Sequence, residues 1–72
     1  MSSVLPVLTA AQVIAILQRK GFKRLRQSGS HVVMKHDDGR WTTVPLHKGR
    51  DLPKGTLRQI LRDTSLSVDE FH

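Results

Sequence analysis

Three residues, Asp37-Asp38-Gly39, separate two short runs of alternating polarity, and the length of that loop decides which side chains share a face. If all three form the loop, with Gly39 left-handed, His36 pairs with Arg40. Val32, Met34, Thr42, Val44 and Leu46 then share one face. His31, Val33, Lys35, Trp41, Thr43, Pro45 and His47 share the other. If only Asp38-Gly39 turns, the partner strand slips by one residue and the apolar groups scatter over both faces. A one-residue slip flips every side chain, so a buried face selects the register that gathers the apolar groups. The three-residue loop is therefore expected, with the Val32/Met34/Val44/Leu46 face covered and the His31 face largely open.

The flanking sequence supplies the cover. Thr9-Ala10-Ala11-Gln12 is a capping box, in which the Thr9 hydroxyl accepts from a first-turn amide and Gln12 reaches back. Ala10, Val13, Ile14 and Leu17 follow at helical spacing, with Ile16 on the flank. Gly21 stops the helix after Arg19-Lys20, so the first helix is expected over residues 10–20. Segments 22–27, 31–36 and 40–46, divided by Ser28-Gly29-Ser30 and Asp37-Asp38-Gly39, predict an antiparallel three-stranded meander. Phe22 and Leu25 point inward together only if the first strand carries a bulge. After a polar loop, His47 to Pro53, Leu57, Ile60, Leu61 and Thr64 predict a second helix over residues 55–64. Ser67-Val68-Asp69-Glu70 repeats the capping-box pattern and predicts a third helix of barely a turn before His72. The result is an α+β chain of order α-β-β-β-α with both helices on one face of the sheet. That is the architecture of double-stranded RNA-binding domains.

Seventy-two residues suffice for one domain, spanning 1–72. Such a domain buries only roughly 60% of its unfolded surface, which leaves a small margin of stability. There is no cysteine, hence no disulfide and no thiolate metal site. No apolar run approaches the ~18 residues of a membrane span. Residues 1–6 lack the basic and apolar regions of a signal peptide, so a cytoplasmic protein is expected, without membrane association. Twelve Lys and Arg stand against six Asp and Glu, a formal charge of +6 and a pI near 10.9. That balance favours a polyanionic partner, nucleic acid foremost.

The basic residues have an order. Lys54, Arg58 and Arg62 recur every four residues on the second helix, and Lys48 and Arg50 lie in the loop before it. Gly55-Thr56 at the helix start offers free amides and a positive dipole end to a phosphate. Together these can track an RNA backbone, although a solvated helix face is the plainer explanation. Lys35 lies on the open face, and Gly29-Ser30 leaves backbone accessible beside His31. Arg24 and Arg26 extend that surface, and Trp41 offers a ring to a base or a protein partner, although a ring that shields the sheet edge is the plainer explanation.

Histidine exchanges protons near neutrality, which makes His31 the first candidate for acid/base chemistry. RNA brings its own nucleophile, the 2′-hydroxyl. Cleavage then needs a base for that group, an acid for the leaving 5′-oxygen, and positive charge for the phosphorane. In the favoured register His47 is the diagonal neighbour of His31, with Cα atoms roughly 7–8 Å apart, so the two could divide these roles across a phosphate. A loop histidine that binds RNA or backbone is the competing explanation for His47. His36 at a turn and His72 at the terminus are weak candidates. The histidines lack a zinc spacing and the chain has no acidic cluster for magnesium, so neither a metal nor a cofactor is expected. From spacing alone, a surface-strand histidine without a role is the plainer explanation of His31.

Four motifs sharpen this. Gly21-Phe22, Gly29-Ser30-His31, Val44-Pro45-Leu46-His47 and Gly55-Thr56-Leu57-Arg58-Gln59-Ile60-Leu61 occur in an order and spacing that resemble the HicA family, the toxins of HicA–HicB toxin–antitoxin modules. The resemblance covers residues 5–71. It implies a fold like that of double-stranded RNA-binding domains, ribonuclease action on mRNA that halts translation, and neutralisation by a HicB-type antitoxin. It also implies that the histidine of the Gly-Ser-His motif, here His31, is catalytic. Two rivals stand beside it: a non-catalytic double-stranded RNA-binding module, and a structural adaptor whose sheet face binds an acidic protein.

Overall fold

A computed structural model of the chain describes residues 4–71. Helix α1, Ala10–Arg19, leads into strands β1, Phe22–Ser28, β2, His31–His36, and β3, Trp41–Pro45. Helix α2, Lys54–Thr64, and a 3-10 turn, Val68–Glu70, complete the order. The strands form one antiparallel sheet, β1-β2-β3, and the helices pack against it. The α-β-β-β-α architecture expected from the sequence is the observed one.

The hairpin register is the one that the three-residue loop demands. Val32 pairs with Val44, Met34 with Thr42 and Lys35 with Trp41. The His36 amide donates to the Arg40 carbonyl at 2.8 Å, and Gly39 closes the loop with φ of 100°. Val32, Met34, Thr42 and Val44 are fully buried, and Leu46 packs against the same cluster. The Thr42 hydroxyl donates to the Asp63 carboxylate at 2.9 Å, so the buried polar group that alternation puts on this face ties β3 to α2.

Ten residues of helix are marginal alone, so α1 depends on its buried stripe. Ala10, Val13, Ile14, Ile16 and Leu17 are all covered, and each large side chain contributes about 1.5–3 kcal/mol. The capping box forms as expected, with the Gln12 amide donating to the Thr9 hydroxyl at 3.2 Å and the Thr9 amide to the Gln12 side chain at 2.9 Å. Gly21 is required twice over. Its φ is 94°, and a Cβ there would approach His36 Nε2 to 2.9 Å.

His36 belongs to the scaffold. Its Nδ1 accepts from the Asp38 amide at 3.1 Å, and its ring stands edge-on to Phe22, with centroids 5.1 Å apart. Beside it, the Arg40 guanidinium lies over the Phe22 ring, donates to the Thr64 carbonyl at the end of α2, and bonds Asp38 at 2.8 Å. The Arg40 amide, and then its guanidinium, hold the Asp38 carboxyl below its ordinary pKa. A depressed folded pKa gives stability that is complete above the unfolded value and is lost as pH falls through the folded one. Asp38→Asn is therefore expected to flatten the acid limb of the stability curve below the ordinary carboxylate range. The denaturant midpoint measured against pH checks this, and an acid limb identical to the parent's would remove Asp38 from the account.

Element ends shift by a residue from the expected bounds, with β1 running through Ser28, β3 spanning Trp41–Pro45 and α2 starting at Lys54, and the structure makes two further expectations specific. The first strand does carry a bulge, between Arg24 and Arg26, yet Leu25 stays outside and 61% exposed while Phe22 alone turns inward. The extra residue at Leu25 shifts the following side chains to the opposite face, which is what a bulge does to a strand of period two. The third helix is a single 3-10 turn. Its capping box is complete, Glu70 pairs with Lys20 at 3.7 Å, and Phe71 behind it is fully buried. The candidate His72 lies outside the described residues.

Candidate active site and nucleic-acid interface

Ser28 pairs with His31 and leaves Gly29-Ser30 as a two-residue loop. Gly29 has φ of 58°, at the first loop position, where a type II′ hairpin turn needs positive φ. A Cβ on Gly29 would meet nothing within 4 Å, so conformation rather than crowding calls for glycine here, and the loop backbone is open. His31 follows at once. It is exposed, and its ring makes no hydrogen bond among the described residues, so both nitrogens are available to a ligand and neither tautomer is fixed.

Strand pairing lays out the open face as three rows. Ser28, His31 and Pro45 form the first. Arg26, Val33 and Thr43 form the second, with Leu25 beside them. Lys23, Lys35 and Trp41 form the third. The bulge is what brings Arg26 opposite Val33, onto the His31 side. Arg24 pairs with Met34 instead, at a position of the helix side, though at the sheet edge it remains exposed.

Positive charge outweighs negative on this face. Of the carboxylates, Asp37 borders a hollow with Lys23 and Lys35 at the far end from His31, Asp38 lies at the β2–β3 turn, Asp51 stands where the backbone bridges to Thr9, and Asp63 is bonded to Thr42 and Gln59. Asp69 and Glu70 lie in the 3-10 turn. None stands in the three rows, and among the described residues Lys23, Arg26 and Lys35 form no ion pair.

The ladder runs one step past β3. The Leu46 amide donates to the Ser30 carbonyl, which brings His47 opposite the Gly29-Ser30 loop at the end of the sheet that holds His31. His47 is exposed and also borders a hollow against Thr9, Ala10 and Ala11 at the start of α1, together with Lys48. It therefore stands where the two sides of the sheet meet. Arg50 follows in the same turn, its amide donating to the His47 carbonyl at 3.1 Å.

The remaining basic candidates lie elsewhere. Lys54, Arg58 and Arg62 are exposed on α2, in the helical layer across the sheet from His31. Arg62 is in part engaged, donating to Gln59 at 2.9 Å. Pro53 precedes α2 and no side chain caps its first amides, so Gly55 and Thr56 present them as expected. The structure thus brings together His31, Gly29 and Ser30, with His47 and Lys48 at their edge, and places Lys35 on the same face two rows away. It separates from them Gly55, Thr56, Lys54, Arg58 and Arg62. Of the two arginines expected to extend the surface beside His31, Arg26 stands on that face and Arg24 does not, because the bulge between them reverses the alternation. Lys23 was not foreseen.

A family profile described as the HicA toxin of bacterial toxin–antitoxin matches residues 10–66. The chain belongs to the HicA toxin family. The match runs from the start of α1 to just beyond α2, so it takes in the Gly29-Ser30-His31 loop, the hairpin and the α2 start. No curated protein matches the chain significantly. Within this HicA domain, no group of three or more His, Asp or Glu among the described residues is placed to hold a metal ion, and no helix is long and apolar enough to cross a membrane.

Proposed function

We propose that this HicA-family chain is an endoribonuclease that cleaves mRNA without a metal cofactor and so halts translation, with His31 as general acid/base. The observation that carries this reading is the placement of His31: exposed, with both ring nitrogens unengaged, beside an open glycine loop on a sheet face rich in positive charge, with no carboxylate in its three rows. The 2′-hydroxyl of the substrate attacks the adjacent phosphorus and the 5′-oxygen leaves. His31 moves one of the two protons, the loop amides of Gly29 and Ser30 stabilise the charge that develops, and Lys35, two rows away, binds the RNA backbone. His47 is the partner that moves the other proton. Lys48 and Arg50 hold the backbone at the sheet's end. Gly55, Thr56, Lys54, Arg58 and Arg62 bind RNA that has passed round that end to the helical layer. Activity on mRNA places the protein in the cytoplasm. A HicB-type antitoxin of acidic character, covering the open face with its exposed Leu25 and Trp41, inhibits by excluding RNA from His31.

The test is incubation of the purified chain with RNA in EDTA. Attack by the 2′-hydroxyl predicts products with 2′,3′-cyclic phosphate and 5′-hydroxyl ends, whereas 5′-phosphate ends would mean that water is the nucleophile and the scheme is wrong. His47→Ala is expected to slow single-turnover cleavage by about 10²-fold, within the range for loss of one proton-transfer group. A variant that cleaves at the parent rate would leave His47 as a loop residue only. The basic row and the uncapped amides of α2, away from His31, favour a second reading, a non-catalytic double-stranded RNA-binding module. RNA binding without cleavage in the same experiment would select it.

A further inference from the structure

We propose that the open sheet face is a subsite for single-stranded RNA, in which Trp41 stacks one unpaired base while Lys35 beside it and Arg26 in the middle row hold the backbone that runs to the phosphate at His31. The inference rests on the ribonuclease reading for which end of the path is cut, and on the geometry of the face for the rest.

Trp41 is 57% exposed at the far row of the face, paired with Lys35. Lys35 lies four positions along β2 from His31, a distance of about 13 Å at the usual rise of a strand. That is a span of a few nucleotides. Between the two ends lie Arg26 and the apolar ground of Val33 and Leu25, which together with Lys35, Trp41 and Thr43 line a continuous shallow groove. An exposed ring flanked by unpaired cations is the combination that holds single strands, because every unpaired base has a face to stack and every linkage a charge to neutralise. A duplex presents charge but no free base face to this surface, since its bases are stacked on one another and its readable features are shape, phosphates and 2′-hydroxyls across a minor groove. Chemistry points the same way. In-line attack requires the 2′-oxygen to swing opposite the leaving 5′-oxygen, a backbone rotation that a stacked duplex resists and a splayed strand allows. The occupant that fits is therefore polyanionic and unpaired. An acidic protein matches the charge and can cover the ring, but it does not call for the ring and the cations to lie on one face with His31.

Trp41 is the sole tryptophan and the chain has no tyrosine, so its emission reports this face alone. The experiment titrates the full chain carrying His31→Ala with oligouridylate, with the same strand annealed to oligoadenylate, and with polyglutamate. Saturable quenching by oligouridylate is expected, with the duplex bound about tenfold more weakly. Trp41→Ala, read by anisotropy of labelled oligouridylate, is expected to bind about tenfold more weakly, within the range for loss of one stacked base. Lys35→Ala is expected to lower the salt slope by a little under one. Circular dichroism shows whether each variant is folded. Trp41 emission that stays constant while anisotropy reports binding, equal affinity for the duplex, or polyglutamate binding tighter than RNA would each overturn the subsite. Quenching by oligouridylate in a chain whose parent form cleaves nothing supports the subsite and removes only the ribonuclease reading. Cleavage with silent Trp41 removes the subsite alone.

Discussion

His31→Ala is expected to lower RNA cleavage by about 10²–10⁴-fold, the usual loss when a proton-transfer group is deleted, while RNA binding and thermal stability stay near the parent's. The two halves of that expectation come from the same geometry. His31 is exposed and its ring bonds to nothing among the described residues, so its removal leaves no cavity and no orphaned polar group. Surface changes of that kind stay within about 0.5 kcal/mol. The residue also sits at the end of the basic face and not in its middle, so Arg26 and Lys35 continue to hold the phosphates. Single-turnover cleavage, RNA anisotropy and thermal unfolding measured together check it. A variant that cleaves within threefold of the parent would remove His31 from the chemistry. One that also fails to bind would make it a contact residue.

Phe71→Ala is expected to cost about 3–5 kcal/mol of stability, the range for deleting a fully buried aromatic side chain. For a small domain whose total stability lies toward the lower end of the ordinary ~5–15 kcal/mol, that loss would unfold a substantial fraction of the chain. Phe71 is 0% exposed and joins the cluster that holds Leu17, Met34, Ile60 and Phe22. It is delivered there by a 3-10 turn that the Ser67–Glu70 capping box closes, with the Ser67 amide donating to Glu70 at 2.8 Å. Denaturant unfolding measures the effect. A loss below about 1 kcal/mol, typical of a half-covered position, would show that the terminal turn adds little to the core. Since His31 lies across the sheet from this cluster, a Phe71→Leu chain that folds is expected to cleave normally.

Much of the molecule was legible in local pattern. The Thr9-Gln12 capping box, the spacing of Val13, Ile14 and Leu17, and the left-handed Gly21 place α1, because helix start, face and stop are each local properties. The hairpin register was legible for a related reason. Only one loop length gathers Val32, Met34 and Val44 on one side, and that choice also fixes His31 on the other. Phe71 was not legible as core, because a single aromatic residue after one turn carries no periodicity. Its burial depends on a space between helices and sheet that only the assembled fold creates.

The candidate site divides in the same way. The sequence by itself determined that His31 follows a glycine turn, that it opposes Pro45, and that the chain is strongly basic. Those facts follow from turn chemistry, from strand alternation and from composition, none of which needs the rest of the fold. Only the tertiary structure decided which basic residues keep His31 company. The bulge at Leu25 carries Arg26 onto the open face, and packing of α2 beneath the sheet carries Lys54, Arg58 and Arg62 to the opposite layer. A bulge arises from how two strands settle against a shared core, and a helix takes its side of the sheet from the face it buries. Both are decided by contacts between residues distant in sequence, and so the surface around His31 could not be read from the chain one residue at a time.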